Sequence, residues 1–325
     1  MIESVKIKEL FGLYHYDIVV KRNDDKIHFL TAPNGYGKTT ILDMVASVVR
    51  GEFKDLLNIS FKQFTLGFDD GSNLSIDREE SYQELKEDSD EPQEPKVVLT
   101  VSLFRKNQLV ESFEVDAHSG DFDSSFSSDF RIDNRGINID MFLRSMICDY
   151  ITDARVLETK TDMGNEQGLF SKISLRDYST RVKMILNDPV EIKNYSDRLD
   201  FFKKTIDNLN FANKSIELKP AFGFRFVGND EHRAIIPLDK LSSGEKHIII
   251  QLCELLFVAK EGALVLIDEP ELSLHLAWQY QYLKIVEGIA VLCGFQFIIA
   301  THSVQIFNAE WSRTTDLFMI SKGKK

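Results

Sequence analysis

The sequence predicts an α/β fold in which a mainly parallel sheet is joined by an antiparallel β subdomain and an inserted helical lobe. Three observations predict it. An early strand runs into a glycine-containing loop and then a helix, and the carboxy-terminal stretch alternates short apolar runs with helical spacing. Between them, the middle of the chain changes from strand-like to helical periodicity. Strands that alternate with helices pair in parallel, because the helix covers a face of the sheet as the chain crosses back.

The opening reads as strands Val5–Phe11, Tyr14–Val20 and Lys26–Leu30, with a turn at Asn23–Asp25. The loop TAPNGYGKTT follows, then a helix over Thr39–Val49 with Ile41, Leu42, Val45 and Val48 on one face and no breaker before Gly51. Phe61–Arg78 reads as a hairpin about Asp69-Asp70-Gly71-Ser72. Ser81–Lys96, acidic and with two prolines, reads as an exposed, poorly ordered excursion before a strand at Val97–Phe104. The Ser/Asp-rich stretch His118–Asn134 reads likewise. From Met141 to about Asn213 the spacing is mainly helical, with Phe142, Met146 and Tyr150 early and Leu199, Phe202, Ile206 and Leu209 later. Strands are expected at Phe222–Phe226 and Ala234–Pro237, and a long helix at Ser243–Ala259. Then come strand Ala263–Ile267, helix Leu274–Ile289, strand Phe295–Ala300, helix Val304–Asn308 and strand Leu317–Ile320. The whole reads as one domain over residues 1–325. Its core is 1–50 and 235–325, with a β-rich insertion at 51–140 and a helical lobe with following strands at 141–234.

Composition is that of a folded globular chain, 43% hydrophobic and 28% charged, and the net charge of −12 sets the overall field against nucleic acid and anionic membranes. Nucleic acid stays open as a partner only through local basic spots: Lys203 with Lys204, Lys21 with Arg22, and Lys322, Lys324 and Lys325. Three scattered cysteines give neither a disulfide framework nor a zinc pattern. The charged amino terminus has no apolar leader and no run is long enough to cross a membrane, so a cytoplasmic protein without membrane contact is expected.

Two segments carry phosphate chemistry. In APNGYGKTT, residues Gly37, Lys38 and Thr39 fit GxxxxGK[ST] with Ala32 at the first glycine position. Asn34, Gly35, Tyr36, Gly37 and Thr40 belong to the same cradle. Backbone N–H groups would face phosphate oxygens, Lys38 would reach the β and γ phosphates of ATP, and Thr39 would ligate Mg2+. ALVLIDEP is a buried strand that delivers Asp268, placed to hold Mg2+ through water, and Glu269, placed to polarise the attacking water.

LSSGE, with Ser242, Ser243, Gly244 and Glu245, resembles the LSGGQ signature of ABC ATPases, and ATHS with His302 resembles their switch histidine. The order of the four elements is that of the family. The resemblance implies an ABC-ATPase (P-loop NTPase) core, with Glu269 and His302 catalytic. It also implies a signature too far from its own phosphate loop to touch that nucleotide, so that it meets the γ-phosphate held by a second copy. A homodimer or higher homo-oligomer with composite ATP sites is the expected partner state.

EPELSLH, Trp278 and FIIATHSVQIF look like the bacterial ABC-type ATPases related to RecF, SMC and OLD proteins, and most like the stand-alone anti-phage ATPases of PARIS, Septu and certain retrons. YITDARVL at Tyr150–Leu157 resembles the strand and Arg-containing turn at the Q-loop place, but Ala154 stands where Gln or Asn is expected. No long heptad array lies between Gly51 and Pro237, so coiled-coil arms of the SMC kind are excluded. About two dozen residues follow His302, too few for a TOPRIM nuclease domain. The expected function is therefore an ATP-hydrolysing, ATP-switched sensor of an anti-phage system. It would control a separately encoded effector, such as a nuclease. The alternatives are a RecF-like DNA-maintenance ATPase, a transporter motor in which Tyr14 or Tyr16 stacks on adenine, and an ATP-gated scaffold of very slow turnover.

Overall fold

The centre of the computed structural model is a five-stranded sheet ordered β14-β3-β13-β12-β8 and parallel throughout. Its strands are β3 (Ile27–Thr31), β8 (Cys148–Thr152), β12 (Leu264–Asp268), β13 (Gln296–Thr301) and β14 (Thr314–Asp316). The structure describes residues 1–20, 25–81, 95–117, 137–152, 174–272 and 274–322. Five sequence expectations lie outside the described residues: most of the turn at Asn23–Asp25, most of the acidic excursion, the Ser/Asp-rich stretch, the turn with Ala154, and basic residues Lys21, Arg22, Lys324 and Lys325.

Successive residues of β12 and β13 serve different cores. Leu264, Leu266, Ile298 and Ala300 join one apolar cluster, while Val265, Ile267, Phe297 and Ile299 join the other. This two-residue alternation inside continuous apolar runs is what a sheet covered on both faces requires. Helix α1 (Lys38–Arg50) covers the first face through Ile41, Leu42, Val45 and Val48. Behind it lies a six-stranded antiparallel sheet ordered β2-β1-β4-β5-β6-β7. This sheet joins β1 (Ile2–Leu10) and β2 (Tyr14–Val19) to β4 (Gln63–Phe68), β5 (Ser72–Ser81), β6 (Lys96–Arg105) and β7 (Gln108–Asp116). A short helix α2 (Ile137–Arg144) also packs on this side through Ile139 and Leu143.

The second face is covered by the helical lobe and the helices that follow it. The lobe comprises α3 (Leu175–Asn187), α4 (Pro189–Asn194) and α5 (Ser196–Leu209). After it come the small sheet β9 (Lys214–Lys219), β10 (Gly223–Gly228) and β11 (Ile235–Ile236), then α6 (Ser243–Cys253) and α7 (Leu276–Cys293). Val182, Phe202, Ile249, Leu252, Tyr282 and Ile289 fill this core. Helix α6 widens into a π-turn at Glu254–Val258. The lobe holds this turn: Tyr178 donates to Glu254 at 2.5 Å, Arg198 to the Leu256 carbonyl at 3.2 Å, and Arg181 to the Phe257 carbonyl at 3.4 Å. The two arginine bonds satisfy carbonyls where the π-turn disturbs the i→i−4 ladder.

Several expectations are corrected. Met146 and Tyr150 do not extend a helix: α2 ends at Arg144, and Tyr150 lies in β8, paired with Leu266. Val304–Asn308 forms turns with i→i+3 bonds instead of a helix, and the left-handed conformations of Asn308 and Ala309 stop the helical ladder there. Leu317–Ile320 is not a strand but part of helix α8 (Leu317–Lys322). Asp316 Oδ1 accepts from the N–H groups of Phe318 and Met319, and the strand is Thr314–Asp316 just before it. Strands β7 and β9 were not anticipated. The β6–β7 turn uses Lys106 and Asn107, both at positive φ, in place of the Asn-Gly or Asp-Gly pair that signals such a turn.

Candidate functional site

The loop between β3 and α1 is shaped by two left-handed residues, Gly35 at φ 86° and Gly37 at φ 79°. Gly37 is the N-cap of α1, and a Cβ there would lie 2.9 Å from Leu10 Cδ2, so both conformation and space select glycine. Ala32 has no positive φ, as its place in the motif allows, and its carbonyl accepts from Lys38 Nζ at 3.1 Å. Asn34 and Gly35 are exposed and Thr40 is half-buried. Tyr36 is held from behind: its carbonyl accepts from Tyr16 at 2.9 Å, and its ring packs on Tyr14 and Phe318. Tyr16 is itself buried, while Tyr14 is half-buried.

Lys38 is 5% exposed, and burial pulls its pKa below the usual lysine range against the attraction of Glu269, Asp268 and Glu271. Its ammonium lies 2.7 Å from His302 Nε2. Thr39, next along, donates to Asp268 Oδ2 at 2.7 Å. The other carboxylate oxygen, Oδ1, is buried without a hydrogen-bond partner, and burial raises the Asp268 pKa despite the Thr39 bond. Glu269 turns sharply at φ 49°, its N–H anchored on the Ala300 carbonyl at 2.8 Å, and its Oε1 lies 3.0 Å from His302 Nε2. The ends of β3, β12 and β13 thus bring Lys38, Thr39, Asp268, Glu269 and His302 together, at the carboxyl edge of the parallel sheet where open α/β folds bind ligands.

Glu271 was not singled out from sequence. Its Oε1 accepts from the His302 N–H at 2.6 Å and its Oε2 from Thr301 Oγ1 at 2.7 Å. The signal was an extra carboxylate two residues past Glu269, which by itself reads as a solvated turn.

The signature stands apart. Ser242 caps α6, its Oγ accepting from Glu245 N–H at 3.3 Å, while Glu245 accepts from Ser242 N–H at 2.8 Å in a reciprocal capping box. The Glu245 carboxylate, 3% exposed, also takes Lys214 Nζ at 2.6 Å, and together these bonds hold its pKa down although burial opposes them. Ser242 and Ser243 are exposed and Gly244 is buried. Helices α6 and α1 lie on opposite faces of the parallel sheet, and among the described residues no hydrogen bond joins 241–245 to 34–40.

The donor set suits Mg2+, a hard cation that takes a few protein oxygens and fills its octahedron with phosphate and water. Asp268 offers a buried, unpartnered oxygen and Thr39 a hydroxyl beside it. Among the described residues no group of three or more His, Cys, Asp or Glu could hold a metal unaided, so phosphate oxygens would have to share in it.

The sequence from residue 27 to 308 matches the family described as "AAA domain, putative AbiEii toxin, Type IV TA system". The chain belongs to this family. The match spans the phosphate loop, the signature segment, the strand-end acids and His302. No curated protein matches the chain. Similar solved structures include an SMC head bound to the C-winged helix domain of ScpA, 14% identical with a TM-score of 0.49, covering 94% of this chain and 91% of that one. The SMC head domain from Thermotoga maritima is 14% identical with a TM-score of 0.43 over 95% and 91%. cbiO1 from Clostridium perfringens, part of the ABC transporter complex cbiONQ, is 15% identical with a TM-score of 0.39 over 94% and 81%. No helix among the described residues is long and apolar enough to cross a membrane.

Proposed function

We propose that the chain binds ATP with Mg2+, hydrolyses it, and switches by pairing with a second copy. It would do so as the sensor ATPase of a bacterial anti-phage system that acts on a separately encoded effector. The convergence of Lys38, Thr39, Asp268, Glu269 and His302 at one strand edge supports the chemistry most directly. Lys38 draws the terminal phosphates in, and Thr39 and Asp268 would hold the metal, which would neutralise charge on the phosphates. Glu269 orients and polarises the attacking water, and His302 senses the γ-phosphate between Lys38 and Glu269. Asn34, Gly35, Tyr36, Gly37 and Thr40 line the cradle.

The place of Ser242, Ser243 and Gly244 supports a shared site, since an exposed, capped helix start on the far face of the sheet can offer N–H groups to a phosphate held by another copy. Glu245 serves that role from within, through the cap. The family's description as a toxin of a type IV toxin–antitoxin system supports a role set against a separate partner.

The test is mass by light scattering on Glu269→Gln, with and without ATP and Mg2+, alone and with the neighbouring gene product, alongside phosphate release by the wild type. Expected are steady phosphate release, its loss in Glu269→Gln, and a larger particle on adding ATP. A wild type that neither binds nor hydrolyses ATP refutes the reading. ATP-dependent, salt-sensitive DNA binding by the chain alone would favour the DNA-maintenance alternative instead.

A further inference from the structure

Both oxygens of Glu271 are taken by the turn that follows β13, one by the His302 N–H and the other by the Thr301 hydroxyl. Thr301 is fully buried, and its oxygen in turn accepts from Ser303 N–H at 3.0 Å. Gln279 of α7 closes the same turn from the other side: its Oε1 accepts from Ser303 Oγ at 2.7 Å, while its Nε2 donates to the Leu274 carbonyl at 3.1 Å and the Glu271 carbonyl at 3.4 Å. Residues 301–303 are therefore fastened to 271–274 by side chains on both flanks. One nitrogen of the imidazole they carry, Nε2, faces both Lys38 Nζ at 2.7 Å and Glu269 Oε1 at 3.0 Å. A carboxylate engaged in this way has no need to touch a nucleotide. What it fixes is the backbone from which His302 projects.

We infer that Glu271 is a positioning residue: its two-oxygen bridge to Thr301 and His302 holds the imidazole with Nε2 against Lys38 and Glu269, and thereby sets the rate of the chemical step. This rests on the ATPase reading. The bridge depends on reach more than on charge, because the two donors sit on consecutive residues and one planar group must span both. Gln keeps the length and one acceptor and can donate to the Thr301 oxygen. Asp keeps the charge but is one methylene too short to span the pair.

The experiment compares Glu271→Gln, Glu271→Asp and Glu271→Ala by two measurements. Steady-state ATP hydrolysis gives kcat and KM. 15N-histidine spectra, with the His302 ring resonance assigned by its loss in His302→Phe, report the imidazole without any nucleotide. Displacing a reacting group by about 1 Å lowers rates by up to about 100-fold. We expect Glu271→Asp and Glu271→Ala to lower kcat about 10- to 100-fold with KM within about threefold, and to shift the His302 resonance. Glu271→Gln should stay near the wild type in both. If Asp preserves rate and resonance while Gln does not, charge and not reach is what matters and the inference is overturned. It is overturned equally if all three variants keep the wild-type resonance and kcat. Should Glu271→Ala fail to fold, the Gln and Asp pair decides alone. A wild type without ATP hydrolysis would defeat the proposed function, and the resonance ordering would still decide whether Glu271 positions His302.

Discussion

Asp268 offers a prediction whose sign reverses between two conditions. In the structure its Oδ1 is buried and without a partner, and burial raises the carboxyl pKa above its ordinary 3.8 against the opposing Thr39 bond. A folded-state pKa above the unfolded value means that the native state holds the proton more tightly. The associated stability is then fully present at low pH and is lost as pH rises from about 4 through the raised value. Asp268→Asn does not titrate and is nearly isosteric with the protonated acid. Without nucleotide and metal, the substituted protein should therefore match the wild type near pH 4 and become the more stable of the two as pH approaches neutrality. An unpartnered buried atom costs about 1–3 kcal/mol, and more when charged. The excess due to the charge, less the weakening of the Thr39 bond, leaves a gain on the order of 1 kcal/mol, or about 2 °C in Tm for a chain of this size. With Mg2+ and ATP at about 100 times Kd the wild type should gain about 2.7 kcal/mol. The Asn form should gain much less, which inverts the order. Scanning calorimetry over pH, with and without Mg2+ and ATP, reads both effects. An Asp268→Asn protein less stable than wild type at neutral pH without ligand, or equally stabilised by Mg2+ and ATP, would refute the reasoning.

Three further outcomes follow from the packing. Gly37→Ala places a Cβ 2.9 Å from Leu10 Cδ2 at φ 79°, so it should lower stability by about 2–4 kcal/mol and weaken binding of a fluorescent ATP analogue; an unchanged Tm and affinity would contradict the fit. Lys214→Met leaves the buried Glu245 carboxylate without its cation, so chemical denaturation should show a loss of about 3 kcal/mol and ATP-driven particle growth should weaken; an unaltered unfolding midpoint would count against the pairing. Tyr178→Phe removes the donor to Glu254, whose pKa burial already raises, so hydrogen exchange across the π-turn should accelerate by about 10-fold, equivalent to about 1.4 kcal/mol; unchanged protection would exclude the bond as a brace.

The residues of the phosphate loop, the strand-end acids and the histidine were legible in the sequence because each sits on a strongly patterned element. That β3, β12 and β13 end side by side was implied by the resemblance to the family's motif order, and the sheet order agrees with it. What escaped was the chemistry held by side chains that bridge distant segments. Glu271 reaches Thr301 and His302, and Lys214 reaches Glu245, across gaps that no local period encodes. The boundary errors have local causes as well. The apolar run Leu317–Ile320 fits a strand or a buried helix equally, and the capping Asp316 that decides between them lies just before it. Tyr150 fits the helical spacing of Phe142 and Met146, yet pairing with β12 places it in a strand, a case of tertiary contacts overriding local pattern.

The bonds around Lys38 bear on how the site can work repeatedly. The Ala32 carbonyl and His302 hold the buried Lys38 ammonium, and the carboxylates of Glu269, Asp268 and Glu271 attract it, all groups of the chain itself. The loop can therefore stay folded whether or not a phosphate is in place, and a departing product leaves no stranded charge behind. A phosphate that displaced His302 from Lys38 would lose on the order of 1.5–3 kcal/mol of affinity, the strength of a charged hydrogen bond. Weaker binding and easy exchange thus come from the same contact, and a tighter-binding variant obtained by removing the imidazole would be expected to release its nucleotide more slowly.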